Sequence, residues 1–177
     1  KARTKLKTST GALNGHPYGN IAGCNDRCCE PGTVKGLMPR SLLESAAGIW
    51  RFTANVPDQP FASGVRYATG LKNVVGLDWN TKTNSLFVMQ HGRGAFDDFY
   101  PQYYTPKQSA ELPAETMYEL HQGDDAGWPY VYYDQFQKKK IMAPEYGWDG
   151  KKTGTAKTID PMAAFPPHLG PNDLLVS

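Results

Sequence analysis

The segment from Val74 to Met89 constrains the fold of this chain more than any other. Val74-Val75-Gly76-Leu77-Asp78-Trp79 reads as a strand, Asn80 to Ser85 as a polar turn, and Leu86-Phe87-Val88-Met89 as the returning strand. The returning strand is apolar at every position, so both of its faces have to be covered by other parts of the protein. An isolated hairpin cannot meet that demand, and a layered β architecture can. Further short strands are predicted at Gly48-Ile49-Trp50-Arg51-Phe52, Val65-Arg66-Tyr67-Ala68, Thr116 to Leu120 and Tyr130 to Tyr133. Gln122-Gly123-Asp124-Asp125 has turn chemistry. One short helix is expected from Thr105-Pro106-Lys107-Gln108, which offers a capping threonine, a first-turn proline and a glutamine at the third helical position.

Composition narrows the choice. With 18 glycines, 14 prolines and 12% aromatic residues in 177, the chain reads as loop-rich and all-β, a sandwich, a barrel or a propeller. Propeller repeats take roughly 40–50 residues per blade, so a chain of this length supplies about three to four blades. Basic and acidic residues nearly balance, 19 against 17, which speaks against an electrostatic nucleic-acid binder. No apolar run approaches the ~20 residues that a membrane-spanning helix needs. Lys1 to Lys7 is basic but leads into no apolar stretch, so no signal peptide is read there. Asn172 to Ser177 reads as a strand that begins and stops, and the chain is read as part of something longer.

Residues 1–47 are expected to be irregular, with one helical turn between Arg40 and Ala47, and residues 48–177 to form the β domain. Cys24, Cys28 and Cys29 lie within six residues. They leave open a zinc site completed by His16, a local disulfide involving Cys24, or free thiols. The stretch from Gly92 to Glu115 is long for a loop, and long ordered loops are usually functional. Lys138-Lys139-Lys140 reads as a solvated hairpin tip or as a docking site for an acidic electron acceptor, and Tyr103-Tyr104, Trp128 and Tyr130 to Tyr133 as core aromatics or sugar-stacking residues.

Several motifs occur in a set order. They are Ser45-Ala46-Ala47-Gly48-Ile49-Trp50-Arg51-Phe52, then Tyr67-Ala68-Thr69-Gly70-Leu71-Lys72-Asn73, then Gln90-His91-Gly92-Arg93. Glu111-Leu112-Pro113-Ala114-Glu115, Gly127-Trp128-Pro129-Tyr130 and Ala143-Pro144-Glu145-Tyr146-Gly147 follow, and Pro171-Asn172-Asp173-Leu174-Leu175 closes the series. From Cys24 onward the chain resembles the soluble quinoprotein glucose/sorbosone dehydrogenases, and most of all their sorbosone-dehydrogenase-like branch. The resemblance implies part of a six-bladed β-propeller that holds pyrroloquinoline quinone (PQQ) and calcium and oxidises a sugar or aldose. Electrons would pass to a cytochrome or another acceptor, and the location would be periplasmic or secreted.

The resemblance also implies roles for residues. Lys72 and Asn73 match an Arg-Asn pair that contacts the quinone, with lysine in place of arginine; a lysine is a point charge and lacks the planar fork. Arg93 could neutralise a cofactor carboxylate. The main-chain carbonyls of Gly92 and Arg93 match those that face calcium, and Asp98 or its neighbour Asp97 could support the ion. His16 matches the family's general base loosely, the alternative being a base elsewhere in the molecule. The competing reading is a non-catalytic propeller piece that binds carbohydrate or protein, with two half-propellers closing as a homodimer so that no sheet edge is exposed.

Overall fold

The computed structural model describes residues 4–9, 48–128, 130–146, 152–154 and 157–176. The three cysteines, His16 and the segment from Arg40 to Ala47 lie outside the described residues. The strands are β1 (Thr4–Ser9), β2 (Gly48–Thr53), β3 (Val65–Thr69), β4 (Asn73–Asn80), β5 (Ser85–His91), β6 (Glu115–Leu120), β7 (Asp124–Asp125), β8 (Val131–Asp134), β9 (Lys139–Met142) and β10 (Ala163–Phe165). Two short helices, α1 (Phe96–Phe99) and α2 (Pro106–Glu111), interrupt the series. The strands form open sheets in the orders β1-β2-β3-β7, β10-β6-β5-β4 and β8-β9. The described residues are therefore predominantly β, as the sequence indicates. β1 lies inside the stretch expected to be irregular and pairs antiparallel with β2, from Thr4 opposite Thr53 to Ser9 opposite Gly48.

The Val74–Met89 hairpin forms as β4 and β5, paired from Asn73 opposite His91 to Asn80 opposite Ser85, with a register irregularity between Val74 and Gly76. β5 also pairs with β6, from Leu86 opposite Leu120 to Gln90 opposite Thr116. It is thus an inner strand, and all of Ser85 to Gln90 is buried. Leu86 and Val88 join Ile49, Tyr67, Leu71 and Tyr118 in a core drawn from the two four-stranded sheets. A second cluster packs Phe96, Tyr100 and Tyr104 of the long loop against Tyr132 and Ile141 of β8 and β9. Phe96 stacks on Tyr104 with centroids 4.4 Å apart. α2 begins as its sequence dictates: the Thr105 side chain accepts from the Gln108 backbone N–H, and the Gln108 side chain returns a bond to the Thr105 N–H.

Three expectations need correction. The turn residues Asp124 and Asp125 also form β7, which runs parallel to β3 with Ala68 opposite Asp124. The lysine run is not uniformly solvated. Lys138 is exposed in a turn at φ 51°, but Lys140 is only 8% exposed, because its ammonium reaches inward to the Ala126 and Ile159 carbonyls. The run from Pro171 onward is not a strand; instead it lies beside β4, where the Val176 N–H donates to Asp78 Oδ2 at 2.7 Å.

Candidate functional site

The end of β5 and the loop after β3 meet at a small, half-open cleft whose lining includes Lys72, Gly92, Arg93, Trp128, Tyr132 and Tyr118. Each wall has a local cause. Gly70 sits at φ +71°, a left-handed conformation that glycine adopts without strain, and a Cβ there would fall 2.1 Å from Asp125 Oδ1. That turn carries the chain from β3 to Lys72. The Gly70 carbonyl then accepts from the Trp128 N–H at 2.8 Å, and the Ala126 N–H bonds to the Thr69 carbonyl at 2.9 Å. These bonds bring the Gly127-Trp128 loop alongside Lys72. Gly92 answers a different need, close approach. A Cβ there would lie 2.9 Å from both the Pro113 and Ala114 carbonyl oxygens.

A polar network runs through this corner. Lys72 Nζ donates to the Gly92 carbonyl at 3.0 Å, and the Gly92 N–H donates to Glu115 Oε2 at 2.7 Å. The other Glu115 oxygen accepts from the His168 N–H at 3.0 Å. The Gly92 backbone is therefore held by an ammonium at its carbonyl and by a buried carboxylate at its N–H. The Lys72 backbone N–H donates to Gln90 Oε1 at 2.9 Å, and the Gln90 amide donates to Thr116 Oγ1 at 3.0 Å, fixing the lysine's own position. Lys72 Nζ also stands 6.0 Å from the centroid of Trp128. Arg93 is buried, with Cζ 4.8 Å from the Phe96 ring centroid.

Asn73 is exposed, and its amide lies 3.2 Å from His91 Nδ1. His91 Nε2 lies 3.0 Å from the Pro171 carbonyl. A carbonyl only accepts, so Nε2 carries the proton and Nδ1 takes a hydrogen from Asn73. Both ring nitrogens are thereby engaged. Asp97 is half-buried in the first turn of α1, its N–H donating to Ser109 Oγ at 3.3 Å, and Asp98 is exposed. The structure thus brings Lys72, Gly92 and Arg93 to one cleft, puts Asn73 beside it on His91, and sets Asp97 and Asp98 on α1.

Sequence reasoning assigned no site role to Glu115 or Gln90, and it read Lys140 only as part of a hairpin tip or docking run. The signal for Glu115 was present, since an acidic residue opens the otherwise sheet-forming run Thr116 to Leu120 and needs a buried partner. Lys140 stands behind the cleft wall with Nζ 5.1 Å from the Tyr118 ring centroid and 2.5 Å from the Ala126 carbonyl. Burial pushes its pKa down to about 8, against the opposing pull of Asp160 and Asp125. Burial likewise pushes the Tyr118 phenol well above its ordinary value.

No family model and no curated protein matches this sequence. Solved structures do. The fold is similar to the iodide structure of a carbohydrate-active enzyme of family AA12 from Trichoderma reesei, with a TM-score of 0.54 and 16% identity over 71% of this chain and 35% of that one. The calcium structure of the same family gives a TM-score of 0.53 and 16% identity over 71% and 36%. The PQQ-bound aldose sugar dehydrogenase of Streptomyces coelicolor gives a TM-score of 0.39 and 21% identity over 82% and 31%. The AA12 likeness establishes a shared fold. The chain spans about a third of the length of these structures, 35%, 36% and 31% in turn.

The two groups that the resemblance implies fare differently against the donors present. A planar tricarboxylate finds two basic side chains, Lys72 and Arg93, and flat aromatic walls in Trp128 and Tyr132, so the quinone fits the cleft's chemistry. Calcium seeks six to eight oxygen ligands. Here the Gly92 carbonyl already accepts from an ammonium, and among the described residues no group of three His, Cys, Asp or Glu could hold a metal. The side chains described therefore offer no cage for a divalent ion.

Proposed function

We propose that the chain is part of a quinoprotein sugar dehydrogenase, a partial β-propeller of about three to four blades whose cleft holds PQQ while a sugar or aldose is oxidised. One observation carries this reading: Lys72 and Arg93 line the same cleft as Trp128 and Tyr132. Cations and flat aromatic surfaces together are what an anionic planar ring system requires. Bound there, PQQ supplies a two-electron acceptor for the sugar. The chain's own residues bind and orient. Arg93 offers a planar fork to one carboxylate. Lys72, held by Gln90 and Gly92, places a point charge at a fixed spot on the rim. Trp128 and Tyr132, which line the cleft, would border the ring system. His91 does not move a proton in this arrangement, since Asn73 and the Pro171 carbonyl engage both of its nitrogens. The substrate is a sugar, the electrons leave to a cytochrome or a similar carrier, and the location is periplasmic or secreted.

The test is a fluorescence titration of the 177-residue chain with PQQ, followed by dye reduction with glucose and other aldoses. Saturable quenching that weakens at least tenfold in Arg93→Met supports the reading, a loss of about 1.4 kcal/mol. Absence of saturable quenching in the unaltered chain contradicts it.

A further inference from the structure

The polar corner at Gly92 holds an arrangement that a calcium-dependent site would not need. We propose that the Lys72 ammonium is the cation of this cleft and takes the place of a divalent ion at the Gly92 carbonyl. The inference rests on the quinone reading above for its ligand, but not for its geometry. Lys72 Nζ lies 3.0 Å from the Gly92 oxygen. A calcium ion would sit 2.3–2.6 Å from that same oxygen, so the two cations would compete for one place and repel each other there.

The surroundings favour the monovalent group. Glu115, the carboxylate nearest the Gly92 peptide, already accepts from the Gly92 and His168 N–H groups. Asp98 is exposed on α1, and Asp97 is half-buried one residue before it. An ammonium asks for fewer oxygen ligands than calcium, and the Gly92 carbonyl supplies one of them. Lys72 is also held by its backbone bond to Gln90 and by the face of Trp128, so it is pre-positioned as a ligand cation rather than a loose surface charge. The chemical class it would recognise is a planar carboxylate-bearing ligand, with the ammonium next to a ligand oxygen.

Two independent readouts test this on the 177-residue chain. In the first, PQQ is titrated with excess calcium and with a chelator. Affinities that agree within twofold support the proposal, as does a loss of at least tenfold in Lys72→Met with affinity kept in Lys72→Arg. Chelator-dependent binding overturns it, and so does unchanged affinity in a Lys72→Met protein that melts like the parent. In the second, terbium is added without any quinone, and emission sensitised by Trp128 is recorded. The unaltered chain is expected to stay dark. Calcium-displaceable emission that vanishes in Trp128→Phe overturns the proposal. If PQQ fails to bind under every condition, the quinone reading fails, and the terbium result alone decides the role of Lys72.

Discussion

Gly92 and Lys140 are the residues whose surroundings make the sharpest demands. A methyl group on Gly92 would meet two carbonyl oxygens at 2.9 Å, and both belong to backbone that cannot swing aside. Gly92→Ala is therefore expected to lose about 1–3 kcal/mol, as overpacked sites do, measured by urea unfolding. Lys140 makes a prediction about pH. Its folded pKa of about 8 lies below the 10.5 of an exposed lysine, so between those values the unfolded chain binds more protons. Stability contributed by this group is fully present above 10.5 and is lost as pH falls through 8. The Tyr118 phenol, raised by burial, works in the opposite sense above pH 10, where an exposed tyrosine ionises. The clean window is thus about pH 8 to 9.5, in which the parent should gain roughly 1–2 kcal/mol relative to Lys140→Met. Parallel pH profiles for the two proteins would refute the assignment. The sequence could not announce this lysine, because its burial depends on carbonyls at Ala126 and Ile159 that are distant in the chain.

At the scale of elements, local information was sufficient where the local pattern was strong. The β4–β5 hairpin and the capped start of α2 were legible because hydrophobic runs and capping side chains act over a few residues. β7 was not legible, because its two residues pair with β3 more than 50 positions upstream, and nothing nearby records that partner. The cleft was partly legible. Lys72, Gly92 and Arg93 could be picked out by motif, whereas the Lys72–Gly92 contact required the strands to be placed side by side. Two substitutions test the elements separately. Leu86→Ala empties a fully buried position on the inner strand and should cost about 2–5 kcal/mol by denaturant unfolding. Thr105→Ala removes half of the α2 capping box and should cost about 1 kcal/mol, leaving the β-sheet circular-dichroism signal unchanged.

At the scale of the molecule, the described sheets are open, and the run after Gly170 partly closes one side. The Pro171 carbonyl meets His91 Nε2 at 3.0 Å, and Val176 bonds to Asp78. Deleting residues 171–177 should therefore destabilise β4 by about 1–3 kcal/mol, the cost of leaving these partners unmet, and hydrogen exchange should quicken in β4 before β6. The larger question is what the cleft between the sheets receives. A crystal of the 177-residue chain soaked with PQQ addresses it most directly. The account predicts planar density against Trp128 and Tyr132, with carboxylate or quinone oxygens on Lys72 and Arg93 and the Lys72 ammonium still on the Gly92 carbonyl. Density lodged elsewhere on the protein, or a metal ion seated on Gly92 with Lys72 turned away, would contradict it.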